Sequence, residues 1–417
     1  MAPTRIHFHT DCPYYAGCEN LLGVIFSDPR LKQQYSVTLS YRFSDRYEAG
    51  ASAAIPKWVP RFPLRIPFSV GLQVRRKGVM RLLVSGVNKI AQYAFELPLF
   101  ITDVMILVRT FSKLDPEILY INNGGYPGAR SARAAVFAAR LSGIKIVVMR
   151  VHNLAITYKW PHRWLDFLTD FWISRMTTRF VVGSQASAEQ LRKVLKLKSK
   201  QVQVIMNGFA PTQQIEERAS IRNRLLGTST GDEIVIGVVG ALEERKGHRV
   251  LCSALAIIRE SNPTVFVKIR VFFIGEGVDE DLIATKCEQE GLMESIKFIG
   301  QKTDAVSYIN ALDILAVPSL REEDTPNVVL EAMFTGTSII ASDIAGIPEQ
   351  IIHGTTGTLV PAGDVLALAD ALIATISAQD KRNSVSVAAR ERFRRLFTMS
   401  SMVDSHLVLF AEMSDRI

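Results

Sequence analysis

Residues 318–351 read PSLREEDTPNVVLEAMFTGTSIIASDIAGIPEQI. Just before them, Ile314-Leu315-Ala316-Val317 is a short apolar run closed by Pro318 and Ser319, which predicts a buried strand leaving the core. A polar loop, Arg321 to Asp324, follows. Thr325 is then placed to cap a helix and Pro326 to open it, since a proline N–H is not missed in the first turn. Val328, Val329, Leu330, Ala332 and Met333 supply the buried side of that helix, and Gly336 ends it. A second strand is predicted over Ile339 to Ala341. Strand, loop, helix, strand is the unit of an open α/β sheet. The helix start carries unpaired N–H groups and partial positive charge, which favour a phosphate. Glu323 precedes that start and Glu331 lies eight residues further on, inside the helix.

Outward from this stretch the same alternation continues in both directions. On the N-terminal side, strands are expected at 5–9, 36–41, 117–121, 145–149, 179–182 and 202–205, with helices between most of them. On the other, Ile234 to Val239 starts a second set: helices at 248–260, 279–290 and 304–310, and strands at 267–274, 295–299 and 312–317. Residues 364–378, 380–396 and 400–414 read as helices. The polar run 211–231, with its glutamines, glutamates and Thr228 to Gly231, reads as a linker. The chain therefore divides into a domain over 1–210, the linker, a domain over 232–395 and a closing helical segment over 396–417.

A length of 417 residues gives ample core for two domains, and 48% hydrophobic with 22% charged residues fits a soluble globular enzyme. Met1 to Thr10 lacks the basic-then-apolar order of a leader, and the four cysteines show no zinc-ligand spacing. The expected location is cytoplasmic. The net charge of +8 is concentrated, because 57–92 holds eight Lys or Arg residues and no Asp or Glu. Such a patch needs an anionic partner. The aromatic residues beside it, Trp58, Phe62 and Phe68, come with no nucleic-acid-binding motif, so nucleic acid is not expected.

Residues 50–113 are the least regular part. Pro56, Pro60, Pro63 and Pro67 predict an extended, helix-poor segment. Val74 to Gln92 is amphipathic at helical spacing, with Lys77, Arg81, Ser85 and Asn88 on one face and Val79, Leu83, Val87 and Ile90 on the other. Two readings stay open: a helix lying in a membrane interface, or a helix packed on the sheet with its arginines in water. Tyr93 to Val108 is apolar but too short and too polar to span a bilayer, which makes 57–108 a candidate surface for docking onto an anionic membrane.

Glu323, Pro326, Leu330, Glu331, Ala332 and Met333, with Gly336, Ser342, Asp343, Gly346, Pro348 and Glu349 beyond them, closely resemble the sugar-nucleotide signature of retaining glycosyltransferases of family four, which have the GT-B fold. The resemblance is strong over 234–363, fair over 118–208 and weak over 50–113. It implies an α/β fold of two Rossmann-like doubly wound domains facing across a cleft, with a last helix returning to the first domain. It implies metal-independent, retaining transfer of a sugar from a nucleotide sugar, with no cofactor and no metal ligands. By that resemblance His152, Glu323 and Lys246 are the catalytic residues. Gly17, Gly240, Gly275, Ile299, Asp324, Thr325, Pro326, Asn327 and Glu331 would line the donor. His152 would face the donor sugar, Glu331 would hold the ribose hydroxyls, and Lys246 the leaving diphosphate.

Two departures stand out. The family's phosphate-binding Arg is Ala241 here, and Asp324 replaces its glycine beside the phosphate site. Arg245 also occurs beside intact clamps and is not counted as a substitute. Ala16-Gly17-Cys18-Glu19 resembles the family's Gly-Gly-x-Glu loop with one glycine lost. Asp279-Glu280-Asp281 spells an Asp-x-Asp but opens a predicted helix, where acids complement the dipole, so it is read as structural. The acceptor expected is a glycan or lipid-linked sugar at the cytosolic face of a membrane. The alternatives are a GT-B phosphorylase or epimerase, or an inactive sugar-nucleotide-binding partner of another transferase.

Overall fold

The computed structural model describes residues 3–417 except 13–14, 16, 68–79, 159–160, 212, 228–230 and 322, and gives only the backbone of 80–95, 161–162 and 165. Ala16, Phe68, Trp160 and Thr228 to Thr230 lie outside the described residues, as do the two side-chain faces assigned to 74–92.

The chain forms two compact units. One comprises 1–183, 187–205 and 403–417; the other comprises 184–186 and 206–402. The first is built on seven parallel strands: β1 (Thr4–Thr10), β2 (Tyr35–Arg42), β3 (Arg61–Leu64), β4 (Ile118–Asn123), β5 (Ile146–Val151), β6 (Arg179–Val182) and β7 (Val202–Val204). Their order is β3-β2-β1-β4-β5-β6-β7, so the direction of winding reverses between β1 and β4. In open sheets of this kind ligands bind outside the strand ends at such a switch point. β5 is buried on both faces and accordingly apolar over Ile146-Val147-Val148-Met149. The helix Arg130–Leu141 lies against them through Ala132, Ala135, Ala138 and Ala139, whose small side chains permit close approach.

The proline-rich segment is extended, as its spacing predicts, and part of it is an unforeseen strand. β3 carries Pro63 and sits at the sheet edge, where a residue with no N–H to donate is tolerated. The apolar 93–108 stretch belongs to one helix, Met80–Leu114. Its inner face (Val104, Leu107, Val108, Phe111) is core, and the buried Asp103 pairs with Arg130 at 2.7 Å. Among the described residues of 93–108, a second stripe, Leu97, Pro98, Ile101 and Met105, is exposed on the helix. Among the described residues no helix is long and apolar enough to cross a membrane.

The second unit repeats the architecture with six parallel strands: β8 (Ile234–Val239), β9 (Ile269–Ile274), β10 (Ile296–Phe298), β11 (Ile314–Val317), β12 (Ser338–Ser342) and β13 (Thr358–Val360). The order β10-β9-β8-β11-β12-β13 reverses between β8 and β11. The linker reading of 211–231 is corrected here. Arg218–Leu226 is a helix, and Ile221 and Leu225, one turn apart, are buried in this unit's core. Two buried side chains among nine residues were too sparse a pattern to reveal it. Most of the last helix, Met399–Ser414, counts with the first unit from residue 403 onward.

Candidate functional site

In the second unit the loops after β8, β9, β10 and β11 gather at the carboxyl edge of the sheet. Gly240 ends β8 and donates its N–H to Ile274 O at 3.0 Å. Gly275, ending β9, has φ of 150°, and a Cβ there would stand 2.0 Å from Gly240 O, so only glycine lets these two loops touch. Ile299 is fixed by its N–H on Phe273 O, 2.9 Å away. The backbone of the 240, 275 and 299 loops thus forms one rim.

Lys246 and Gly247 follow a short turn. Gly247 has φ of 73°, and a Cβ would fall 1.8 Å from Pro318 O at the end of β11. That contact explains why a glycine must follow the lysine. It also draws Lys246 to the loop carrying Glu323, and Leu320 N–H bonds Arg245 O at 2.7 Å across the same seam. The buried Glu323 carboxylate accepts from Lys246 Nζ, and Arg245 Nη1 lies 3.2 Å from the same oxygen. Arg245 also pairs with Glu243 at 2.6 Å. Two cations therefore face one buried carboxylate, and the nearby Ala241 offers none.

Asp324 is buried, and its Oδ1 accepts the Ser184 hydroxyl hydrogen bond within this unit. Glu349 accepts from the backbone N–H groups of Gln185 and Ala186 at 2.8 and 2.9 Å. The expected cap moves by one residue. The helix is Asn327–Thr335, and Pro326, extended at φ −64° and ψ 128°, is its N-cap without a side-chain cap bond. Thr325 Oγ1 instead receives Asn207 Nδ2 at 3.3 Å. Pro326 thus gives the first turn of this helix no side-chain cap, and a helix start of that kind suits an anion. On the same helix, Glu331 Oε2 is shut off from solvent and has no hydrogen-bond partner. Burial alone pushes its carboxyl up to about 7.

In the first unit, His152 follows β5. Its Nε2 lies 2.7 Å from Asn122 Oδ1 at the end of β4. Asn122 Nδ2 in turn points to Glu19 Oε1 at 3.4 Å, and Thr10 Oγ1 donates to the same oxygen at 2.9 Å. A carboxylate only accepts, so the amide must give its N–H to Glu19 and its oxygen to His152. His152 therefore carries its proton on Nε2. Burial, with Arg150 and His406 adding to it, holds its pKa well below the ordinary value, so the ring is neutral and Nδ1 bears a lone pair. Gly17 opens the helix Gly17–Ser27, whose first turn delivers Glu19. Glu19, Asn122 and Thr10 are not among the expected site residues; the Gly-Gly-x-Glu resemblance offered a signal for Glu19, and the other two are marked only by their places at the ends of β1 and β4.

Asp279 Oδ2 accepts from Glu244 N–H at 2.6 Å, a local structural bond. Among the described residues no group of three or more His, Cys, Asp or Glu is arranged to hold a metal ion.

Two parallel-sheet Rossmann-like units define the GT-B class of fold. Solved structures agree: Anabaena Alr3699/HepE in complex with UDP superimposes with a TM-score of 0.75 over 98% of this chain and 100% of that one, at 18% identity. WaaG, a glycosyltransferase involved in lipopolysaccharide biosynthesis, does so at 0.66 over 96% and 98%, at 14% identity. Residues 223–392 match the family described as glycosyl transferases group 1. A phosphatidyl-myo-inositol mannosyltransferase of Mycobacterium leprae is 36% identical over 155 residues, 37% of this chain and 40% of that protein. A UDP-Gal:alpha-D-GlcNAc-diphosphoundecaprenol alpha-1,3-galactosyltransferase of Escherichia coli is 26% identical over 291 residues, 66% of this chain and 71% of that protein. The alignments with the mycobacterial relative and with a D-inositol 3-phosphate glycosyltransferase of Corynebacterium urealyticum span 40% and 44% of those proteins' lengths.

Proposed function

We propose that this protein is a retaining glycosyltransferase. It moves a sugar from a nucleotide sugar to a glycan or lipid-linked acceptor at the cytosolic face of a membrane. The observation that carries this reading is the second unit's site. Cationic Lys246 sits on buried Glu323, and Pro326, the N-cap of the Asn327–Thr335 helix, makes no side-chain cap bond. On the same helix stands Glu331, whose buried Oε2 has no hydrogen-bond partner among the described residues. A diphosphate fits the lysine and the helix N–H groups. The hydroxyls of a ribose fit a carboxylate, which only accepts. Relatives and neighbours support the substrate class: HepE was solved with UDP and with UDP-glucose, and the Escherichia coli relative is named for UDP-Gal and a diphosphoundecaprenol-linked sugar.

In the reaction the anomeric carbon–oxygen bond to the diphosphate breaks as the acceptor oxygen bonds that carbon on the same face. The acceptor proton passes to the departing phosphate oxygen. Lys246 and the helix N–H groups stabilise the charge that grows on the diphosphate. Glu323 faces the positive charge developing on the sugar ring, and neutral His152 offers Nδ1 to a sugar hydroxyl. Positive charge comes from the chain itself, so the reading needs no metal and no cofactor.

The test is a binding and hydrolysis screen of UDP-, GDP-, ADP- and dTDP-sugars in chelator, on wild type and Glu331→Ala. Saturable binding of one nucleotide sugar, weakened about tenfold or more in the variant, is expected. Slow release of nucleotide should accompany it. Folded protein that binds none of them overturns the donor site. Binding with no transfer or hydrolysis under any condition favours the inactive-partner reading, which Ala241 at the phosphate-binding arginine's place motivates.

A further inference from the structure

The 3-10 turn Pro161–Asp166 and the helix Phe167–Met176 that follows it are inside out. Three of their charged residues, Arg163, Asp166 and Asp170, are buried and paired. Arg163 bonds Asp166 at 2.9 Å and Asp170 at 2.7 Å. Arg133 reaches Asp166 at 2.6 Å, and the hydroxyls of Tyr126 and Tyr158 donate to Asp170 at 2.8 and 2.5 Å. Five of their large apolar side chains point outward, while Ile173 is buried. Trp164, Leu168 and Trp172 are 63%, 71% and 52% exposed, and Phe167 and Phe171 are exposed beside them. The spacing of these five is that of a single helical face. Water-soluble folds bury such a face, and a contiguous exposed one marks an interaction surface.

Beside this face runs a groove of ≈ 900 Å³. Its opposite wall is the segment 193–201, where Lys193, Lys196, Lys198 and Lys200 are all exposed, and Arg175 adds a fifth cation from the helix itself. Among the described residues, the one carboxylate in the groove's lining is Asp170, already neutralised inside. Aromatic side chains with indole N–H groups, rimmed by lysines on long apolar stems, suit the boundary between lipid headgroups and acyl chains. A second copy seated symmetrically on the face would set lysines against lysines, whereas an anionic bilayer complements them.

We propose that this face, rather than 57–108, is the surface by which the protein docks on an anionic membrane. The inference rests on the membrane-facing part of the reading above and not on its donor chemistry. It also puts the docking surface within the same unit as His152.

The test is co-sedimentation of the full chain with phosphatidylcholine vesicles, with and without phosphatidylglycerol, at low and high salt. Wild type is expected to pellet with the anionic vesicles at low salt, with tryptophan emission shifting to the blue. Trp164→Ser/Leu168→Ser/Trp172→Ser and, separately, Lys196→Glu/Lys198→Glu should each weaken binding about tenfold or more. Leu97→Ser/Ile101→Ser/Met105→Ser should leave it unchanged. Nucleotide-sugar binding on the same variants reports folding, and its failure in wild type would strike the donor reading while leaving this one standing. Three results overturn the proposal. One is that wild type ignores anionic vesicles. Another is that the first two variants bind as wild type does, or that the third alone fails to bind. The last is a concentration-dependent dimer in sedimentation velocity that the tryptophan variant abolishes, which assigns the face to a second copy.

Discussion

The two units share an architecture and differ in what makes their sites. In the second, the site is a matter of backbone approach. Gly275 must admit Gly240 O, and Gly247 must admit Pro318 O, before Lys246 can reach Glu323. Such contacts bind residue type to position, so their spacing survives as a readable pattern. In the first unit, the polar chain Thr10–Glu19–Asn122–His152 is made by side chains from two parallel strands, a helix start and a loop, brought together only by sheet order. Its outer face, likewise, is defined by which side of one helix the fold turns inward.

If this contrast is real, the largest functional loss lies in the second unit. Lys246→Ala leaves Glu323 with Arg245, 3.2 Å away, but removes the flexible cation nearest the leaving group. The kcat for sugar transfer should fall about 10²–10³-fold, the cost of deleting one preorganised charge stabiliser. Arg245→Ala should cost much less, since its guanidinium is already shared with Glu243. Equal losses in the two variants would break the comparison, because Arg245 would then be the missing clamp.

This is also where the sequence was most legible. The 318–351 stretch shows its strand, helix and second strand to within two residues, with one residue of error at the cap: Pro326 stands where Thr325 was expected. Most buried strands are readable because parallel strands covered on both faces must be apolar throughout. The helix Arg218–Leu226 was invisible because two buried residues, Ile221 and Leu225, set no period against a polar background. β3 was hidden because prolines argue against strands and an edge position is not encoded locally. His152 was found by its place after a strand, but its partner Asn122, thirty residues away, could not be. The face built from Trp164 and Trp172 went unread for a related reason. A periodic apolar stripe says which residues share a side, not whether that side faces the core.

The first unit gives the next largest effect. Asn122→Ala removes the acceptor that holds the proton on His152 Nε2 and leaves that part-buried N–H without its bond. About 1–3 kcal/mol is expected for such a loss, or roughly 10- to 100-fold in kcat, with nucleotide-sugar affinity unchanged. His152→Ala should show the same split, and the double variant should be little worse than either single one. Fully additive effects would mean that Asn122 does not act through the histidine, and the polar chain would lose its functional reading.

The smallest effect is the most diagnostic, since it turns on one proton. In the free protein burial raises the Glu331 carboxyl from 4.5 to about 7. Between those two values the native state holds a proton that the unfolded chain has released, so stability falls as pH rises through the window and levels off above about 7. Glu331→Gln removes this term. The variant should melt like wild type below the window and be more stable above it, by roughly 1–3 kcal/mol. Ligand binding should show the opposite sign. Ribose hydroxyls donate to the ionised carboxylate, so a nucleotide sugar, whose diphosphate does not titrate here, should bind up to about tenfold more tightly at about pH 8 than at about pH 6. Calorimetry in two buffers of different ionisation enthalpy should register a proton released on binding near neutrality. Glu331→Gln should bind weakly with a flat pH profile. A flat profile in wild type would show that Glu331 meets no donor hydroxyl, and the readable site would then be a phosphate cradle without its ribose anchor.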